Sequence, residues 1–251
     1  MRRVKPFSFL NGNYLSIYAL FLVSVLSGCG AKTETSEAPD DLRPAESPKQ
    51  RSPDSDTSLA KRKTILFFGN SLTAGYGVEP TQAFPALVGR EIDSAGLDYR
   101  VVNAGLSGET TAGGKSRIGW VLRQPVDVFV LELGGNDGLR GIQLVSTKRN
   151  LQAIIDTVRR KSPQAKIVIA GMQIPPNMGP EYTTRFRQIF GELATENRAV
   201  LIPFLLEGVG GVPRLNQSDG IHPTPQGHRL VARTVWNVLE PVLREESEHA
   251  E

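Results

Sequence analysis

The chain has 251 residues, 39% hydrophobic and 22% charged, enough for a globular domain that buries its core without disulfide or metal staples. Its net charge of +3 comes from the leader. Residues 1–28 hold Arg2, Arg3 and Lys5 and no acid, and taking these three from 29 leaves 26 basic against 26 acidic residues. That balance excludes the electrostatic footprint of a nucleic-acid binder, and the single cysteine, Cys29, excludes an internal disulfide and the usual zinc-ligand pairs.

In chain order, the basic start gives way to a mainly apolar run, Tyr14 to Leu26, and then to Leu26-Ser27-Gly28-Cys29. The run is too short for a stable membrane span and suits the core of a signal peptide. The tetrapeptide matches the bacterial lipobox. Residues 1–28 are therefore expected to be removed, leaving Cys29 as a lipidated residue that anchors an exported protein to the cell envelope. An ordinary signal peptide beside an unmodified Cys29 is the alternative. Residues 30–63 carry Ser, Thr, Pro and charges with few large apolar side chains. Such a segment cannot offset its ordering entropy by burial, so 29–63 is read as anchor plus tether.

A domain over 64–243 follows, with 244–251 as a charged tail. Residues 64–68 form a continuous apolar run ending at Gly69, the pattern of a strand buried on both faces. Residues 84–95 read as a helix, 99–102 as a strand, and 126–133 as a strand stopped by Gly134-Gly135. Leu151, Ile154, Ile155 and Val158 make the stripe of an amphipathic helix. Residues 166–170 and 200–204 complete five strands, with helices at 182–196 and 225–243. Alternating strands and helices predict a three-layer α/β/α sandwich on a five-stranded parallel sheet, its site at the carboxyl ends of the strands.

The polar and glycine-rich segments fall at those ends. Of three histidines, His249 lies in the acidic tail and His228 in the closing helix, where a surface position is expected. His222 sits on a turn with Asp219 three residues before it, a spacing that lets the carboxylate take one ring N–H and leaves the other nitrogen for a reacting proton. The same Asp-x-x-His also suits a helix N-terminal cap. Ser71 follows the first strand and Gly69; it is either a nucleophile on a sharp turn or the cap of a helix. Gly108 and Asn136, each on its own loop, are candidate donors to an oxyanion, or ordinary turn residues.

Together these residues carry a resemblance. Gly-x-Ser-Leu at 69–72, Gly108, Gly-x-Asn-Asp at 134–137 and Asp-x-x-His at 219–222 are similar to the SGNH (GDSL-type) hydrolase family over the whole span from Thr64 to about Leu243. The match is nearest to the periplasmic acyl-CoA thioesterase, lysophospholipase and arylesterase group. The resemblance implies a flavodoxin-like fold and a serine esterase with Ser71 as nucleophile and Asp219 and His222 completing the triad. It implies an oxyanion hole of Ser71 N–H, Gly108 and Asn136, an ester or thioester substrate, and no metal or cofactor. One position departs: the Asp that usually precedes the serine is Asn70, which alters how the turn is braced or how the site answers pH.

Four rival readings stand beside this one. Gly113-Gly114-Lys115-Ser116 suggests a phosphate loop, but the glycine required five residues before Gly114 is Glu109. The second glycine of the Gly-x-Ser-x-Gly elbow is replaced by Thr73, which argues against the α/β-hydrolase fold. A non-catalytic lipoprotein on the same fold, or a carbohydrate acetylesterase, stays open. Acyl selection is expected from residues 139–145 and 174–182, and acyl length and oligomeric state are not encoded in any recognisable motif.

Overall fold

The computed structural model describes residues 62–248; the leader, Cys29, the segment through residue 61 and His249 lie outside the described residues. Five parallel strands, β1 (Lys63–Gly69), β2 (Tyr99–Gly105), β3 (Val128–Glu132), β4 (Lys166–Ala170) and β5 (Val200–Ile202), form one sheet in the order β2-β1-β3-β4-β5. The α/β fold matches the expectation, and the order is the flavodoxin-like one. β1 and β3 are apolar along nearly their whole length because helices cover both sheet faces, whereas edge strand β2 is partly exposed.

The helices are α1 (Ser71–Ala74), α2 (Phe84–Ser94), α3 (Thr111–Val121), α4 (Gly135–Leu139), α5 (Leu144–Lys161), α6 (Pro180–Asn197) and α7 (Pro225–Glu248). α2 packs with α7; α3, α5 and α6 pack side by side elsewhere on the sheet. α7 continues past Leu243 to Glu248. β2 runs three residues beyond the predicted end, to Gly105, and β5 stops at Ile202 before Pro203, whose ring lacks the N–H that a ladder needs.

Helix α3 has no amphipathic stripe to announce it. Its buried residues are Thr111, Gly114 and Ile118. A Cβ on Gly114 would lie 2.4 Å from Leu133 Cδ1 and 3.2 Å from Phe68 Cε1. The glycine that resembled part of a phosphate loop thus lets a helix lie close on the sheet. Glu109, the residue that spoils that motif, is buried and gripped by Arg117, whose guanidinium also covers the Phe68 ring.

His228 corrects the surface assignment, being 1% exposed. Its Nδ1 accepts the N–H of Phe84, and its ring stacks on that of Phe84, so it ties the start of α2 to α7. Burial, and then the nearby His222, lower its pKa from 6.5 to about 4. The fold therefore favours the neutral ring, and this contribution to stability is fully present above pH 6.5 and disappears as pH falls toward 4. In urea titrations, the stability difference between the wild type and His228→Gln should shrink steadily over that window. A constant difference would contradict the assignment.

Candidate active site

β1 lies between β2 and β3, and its last residue, Gly69, pairs with Gly105 on one side and Glu132 on the other. At this switch point the neighbouring connections leave in opposite directions and a crevice opens. Ser71 begins α1 immediately beyond. Asn70, not Ser71, caps that helix: its Oδ1 accepts the N–H of Leu72 at 2.9 Å. The capping bond therefore falls to Asn70, and the Ser71 hydroxyl makes only a long contact of 3.4 Å with Asn70 Oδ1 on this side.

Ser71 Oγ lies 2.8 Å from His222 Nε2, and His222 Nδ1 lies 2.6 Å from Asp219 Oδ2. The carboxylate accepts, so Nδ1 carries the proton and Nε2 presents a lone pair to the serine O–H. Asp219 Oδ1 also accepts the backbone N–H groups of Ile221 and His222 at 2.9 and 3.0 Å. Burial pushes the Asp219 pKa up, but the His222 ring and these backbone donors outweigh it and bring the value down to about 2. The competing cap reading fails on geometry. α7 starts at Pro225, and the side chain that accepts in its first turn is Thr224, from Gly227 N–H.

Two residues to which the sequence assigns no role complete the histidine mount: Tyr76, which ends the Ser71-Leu-Thr-Ala-Gly-Tyr stretch of the resemblance, and Gln217. The Tyr76 ring lies 4.7 Å from the His222 ring, centroid to centroid. Gln217 receives neither ring but joins their backbones: its N–H donates to His222 O, and its Nε2 donates to Tyr76 O and Pro223 O.

Gly108 follows β2 with φ of +79°, a conformation that glycine adopts without strain. Asn136 follows β3, and its Nδ2 donates one hydrogen to Glu109 O at 3.0 Å, which orients the amide and leaves its second N–H available. Among the described residues, neither Ser71 N–H nor Gly108 N–H has a protein acceptor. The loops are locked together. Buried Asp137 accepts from Thr111 N and Thr111 Oγ1, and Arg140 reaches Gly108 O at 3.4 Å.

Beside Ser71 and His222 opens a cleft of about 450 Å³ lined largely by apolar side chains, among them Leu139, Met172, Ile174, Phe204, Leu206 and Ile221. Leu139 and Ile174 belong to the segments expected to select acyl groups. Phe204 and Leu206, after β5, were not anticipated, although the end of a parallel strand is where such residues gather. A second hollow of about 510 Å³, between α5 and α6, touches none of these groups. Among the described residues, no cluster of His, Cys, Asp or Glu suits a metal ion.

Glu132 lies within the Leu131–Arg140 stretch that carries the family resemblance, but an acid ending an apolar strand reveals no role in the sequence. It is 1% exposed and accepts from Asn70 N, Asn70 Nδ2 and Thr73 Oγ1 at 3.1, 2.7 and 2.8 Å. Burial raises its pKa to about 7, against the lowering effect of the Thr73 and Asn70 hydrogen bonds.

Known proteins share this arrangement of sequence and fold. The sequence model of the GDSL-like lipase/acylhydrolase family matches residues 67–230. Esterase TesA of Pseudomonas aeruginosa is 40% identical over 188 residues, covering 74% of this chain and 92% of that protein. Thioesterase 1/protease 1/lysophospholipase L1 of Escherichia coli (strain K12) is 36% identical over 189 residues, covering 75% and 88%. The crystal structure of TesA superposes with a TM-score of 0.68 at 40% identity, covering 71% of this chain and 99% of that one. The chain belongs to the GDSL-like lipase/acylhydrolase family and is a serine ester hydrolase.

Proposed function

We propose that Ser71, His222 and Asp219 form the catalytic triad of an envelope-anchored acyl esterase or thioesterase. The observation that carries this reading is the unbroken chain Ser71 Oγ, His222 Nε2, His222 Nδ1, Asp219 Oδ2 at the edge of an apolar cleft. His222 Nε2 takes the serine proton as Oγ attacks the acyl carbon. The carbonyl oxygen becomes an oxyanion received by the N–H groups of Ser71 and Gly108 and the free N–H of Asn136. The imidazolium, stabilised by Asp219, then protonates the departing alcohol or thiol as its bond to carbon breaks. Water attacks the acyl-serine with His222 again as base, and the acid leaves as Oγ regains its proton.

The cleft favours an acyl chain over a sugar ring, since its walls are mainly apolar. Its surroundings agree. Each of the five connections leaving the carboxyl edge carries at least one exposed large apolar side chain, Tyr76, Leu106, Leu139, Met178 and Ile221 among them. Amphiphilic esters, including aryl esters, acyl thioesters and lysophospholipids, suit such a rim. The lipobox at Cys29 supports anchoring at an envelope membrane, where these substrates concentrate.

Ser71→Ala should lower kcat for p-nitrophenyl butyrate by roughly 10³-fold or more while the urea midpoint stays near the wild-type value. Equal activity of the two proteins would remove Ser71 from the mechanism, and equal inactivity across acyl lengths would favour a binding protein. Leu206→Trp should reduce kcat/KM for decanoyl relative to acetyl esters by roughly 10- to 100-fold, the effect of excluding a few methylenes. Unchanged chain-length preference would place the acyl group elsewhere. For the anchor, full-length protein expressed in a bacterium should fractionate with membranes, and Cys29→Ser should release it or leave it with an unprocessed leader. Membrane partition of a processed Cys29→Ser protein would exclude lipidation there as the cause.

A further inference from the structure

Glu132 has no part in the proton relay, yet it lies under the residue that does the attacking. Its position opposite Gly69 places its carboxylate against the β1–α1 turn, where a Cβ on Gly69 would lie only 2.5 Å from Glu132 Oε2. Oε2 accepts from Asn70 N and Thr73 Oγ1, and Oε1 accepts from Asn70 Nδ2. The donors flank Ser71 on both sides. Asn70 then extends the grip, because its Oδ1 caps Leu72 N–H. One buried carboxylate thus holds the turn before and after the serine.

All of these donors are neutral. The titratable groups of the other strand-end loops bond elsewhere: Arg117 to Glu109, Asp137 to Thr111, and His222 to Asp219 and Ser71. Among the described residues, the side chains that bond to Glu132 from the β1–α1 segment are Asn70 and Thr73, and neither titrates. The chemistry of position 70 follows from this. An amide can donate to the carboxylate and accept from Leu72 N–H at once, without needing a proton. An acid at the same place would set two carboxyl groups 2.7 Å apart, an arrangement that is stable only when they share a proton.

The geometry points to Glu132 as the positioning residue of the nucleophile turn, acting through Asn70 and Thr73, with Asn70 as the amide that lets it do so as a charged carboxylate. This rests on the reading of Ser71 as nucleophile. Protonated Glu132 would face its former donors with a donor of its own. Either the Thr73 hydroxyl would have to turn or the Asn70 amide would have to flip, and the flip breaks the cap on Leu72.

The hydrogen bonds prescribe an exchange experiment. In Glu132→Gln, an amide N–H₂ faces donors, and kcat for p-nitrophenyl butyrate should fall by roughly 10- to 100-fold with KM changed little, as for a misplaced reacting group. Combining Glu132→Gln with Asn70→Asp swaps amide and carboxylate while keeping every bond: Asp at 70 accepts from Gln at 132 and from Leu72 N–H. The double variant should recover to within several-fold of wild-type kcat. Asn70→Asp alone should be active while the pair shares a proton and lose kcat at alkaline pH, where the wild type stays level. A double variant no better than Glu132→Gln, or an Asn70→Asp profile that parallels the wild type, would overturn the proposal. The Asn70→Asp profile decides the matter if Glu132→Gln does not fold. Labelling by a fluorophosphonate, mapped to its residue in wild type, separates the two readings. Label on Ser71 together with failed exchange sinks only the role of Glu132, whereas label on another residue sinks both.

Discussion

The row Gly105, Gly69, Glu132 across the ends of three strands is the constraint from which the site is built. Two glycines are needed because α1 folds back directly onto the strand ends. A Cβ on Gly105 would lie 2.2 Å from Ala74 N, and one on Gly69 2.1 Å from Thr73 Oγ1. Backbone therefore meets backbone at Gly105, and at Gly69 it meets the Thr73 hydroxyl and the Glu132 carboxylate, so the serine turn has almost no freedom to drift. The third member of the row supplies polar acceptors for donors that this close approach would otherwise bury unpaired.

Two carboxylates serve the site by opposite physics. Asp219 sits at the surface, faces a ring N–H and two backbone N–H groups, and has its pKa lowered. Glu132 is sealed from water among neutral donors, and burial raises its pKa. The first is suited to stabilising a transient imidazolium, because its charge is secure and near the reaction. The second is suited to bracing, since a buried acceptor that lost its partners would cost roughly 1–3 kcal/mol or more and so resists rearrangement.

What the sequence disclosed follows this division. Strands buried on both faces read as apolar runs, and helices with one buried face read as stripes, so β1, β3, β4, α2 and α5 were all visible. Ser71, Gly108, Asn136, Asp219 and His222 were visible because glycines and polar residues interrupt that pattern at strand ends. α3 was hidden, as its buried face is Thr111, Gly114 and Ile118, a threonine, a glycine and a single apolar side chain rather than a hydrophobic stripe. His228 was misplaced because burial of a single polar ring depends on a backbone N–H 144 residues away. Glu132, Tyr76 and Gln217 act through tertiary contacts alone, and no local spacing encodes them.

The same distance along the chain has a temporal meaning. Ser71 and His222 are separated by 151 positions, with β2 through β5 between them in the chain. A chain emerging N-terminus first presents its serine turn long before any base can reach it. Contacts of such separation form late, after the loop-closure entropy has been overcome. If Ser71 is the nucleophile, as proposed, its oxygen is consequently unarmed until that contact has formed. On the proposed mechanism hydrolysis begins only with the finished fold, and a nascent or truncated chain carries its serine without a base.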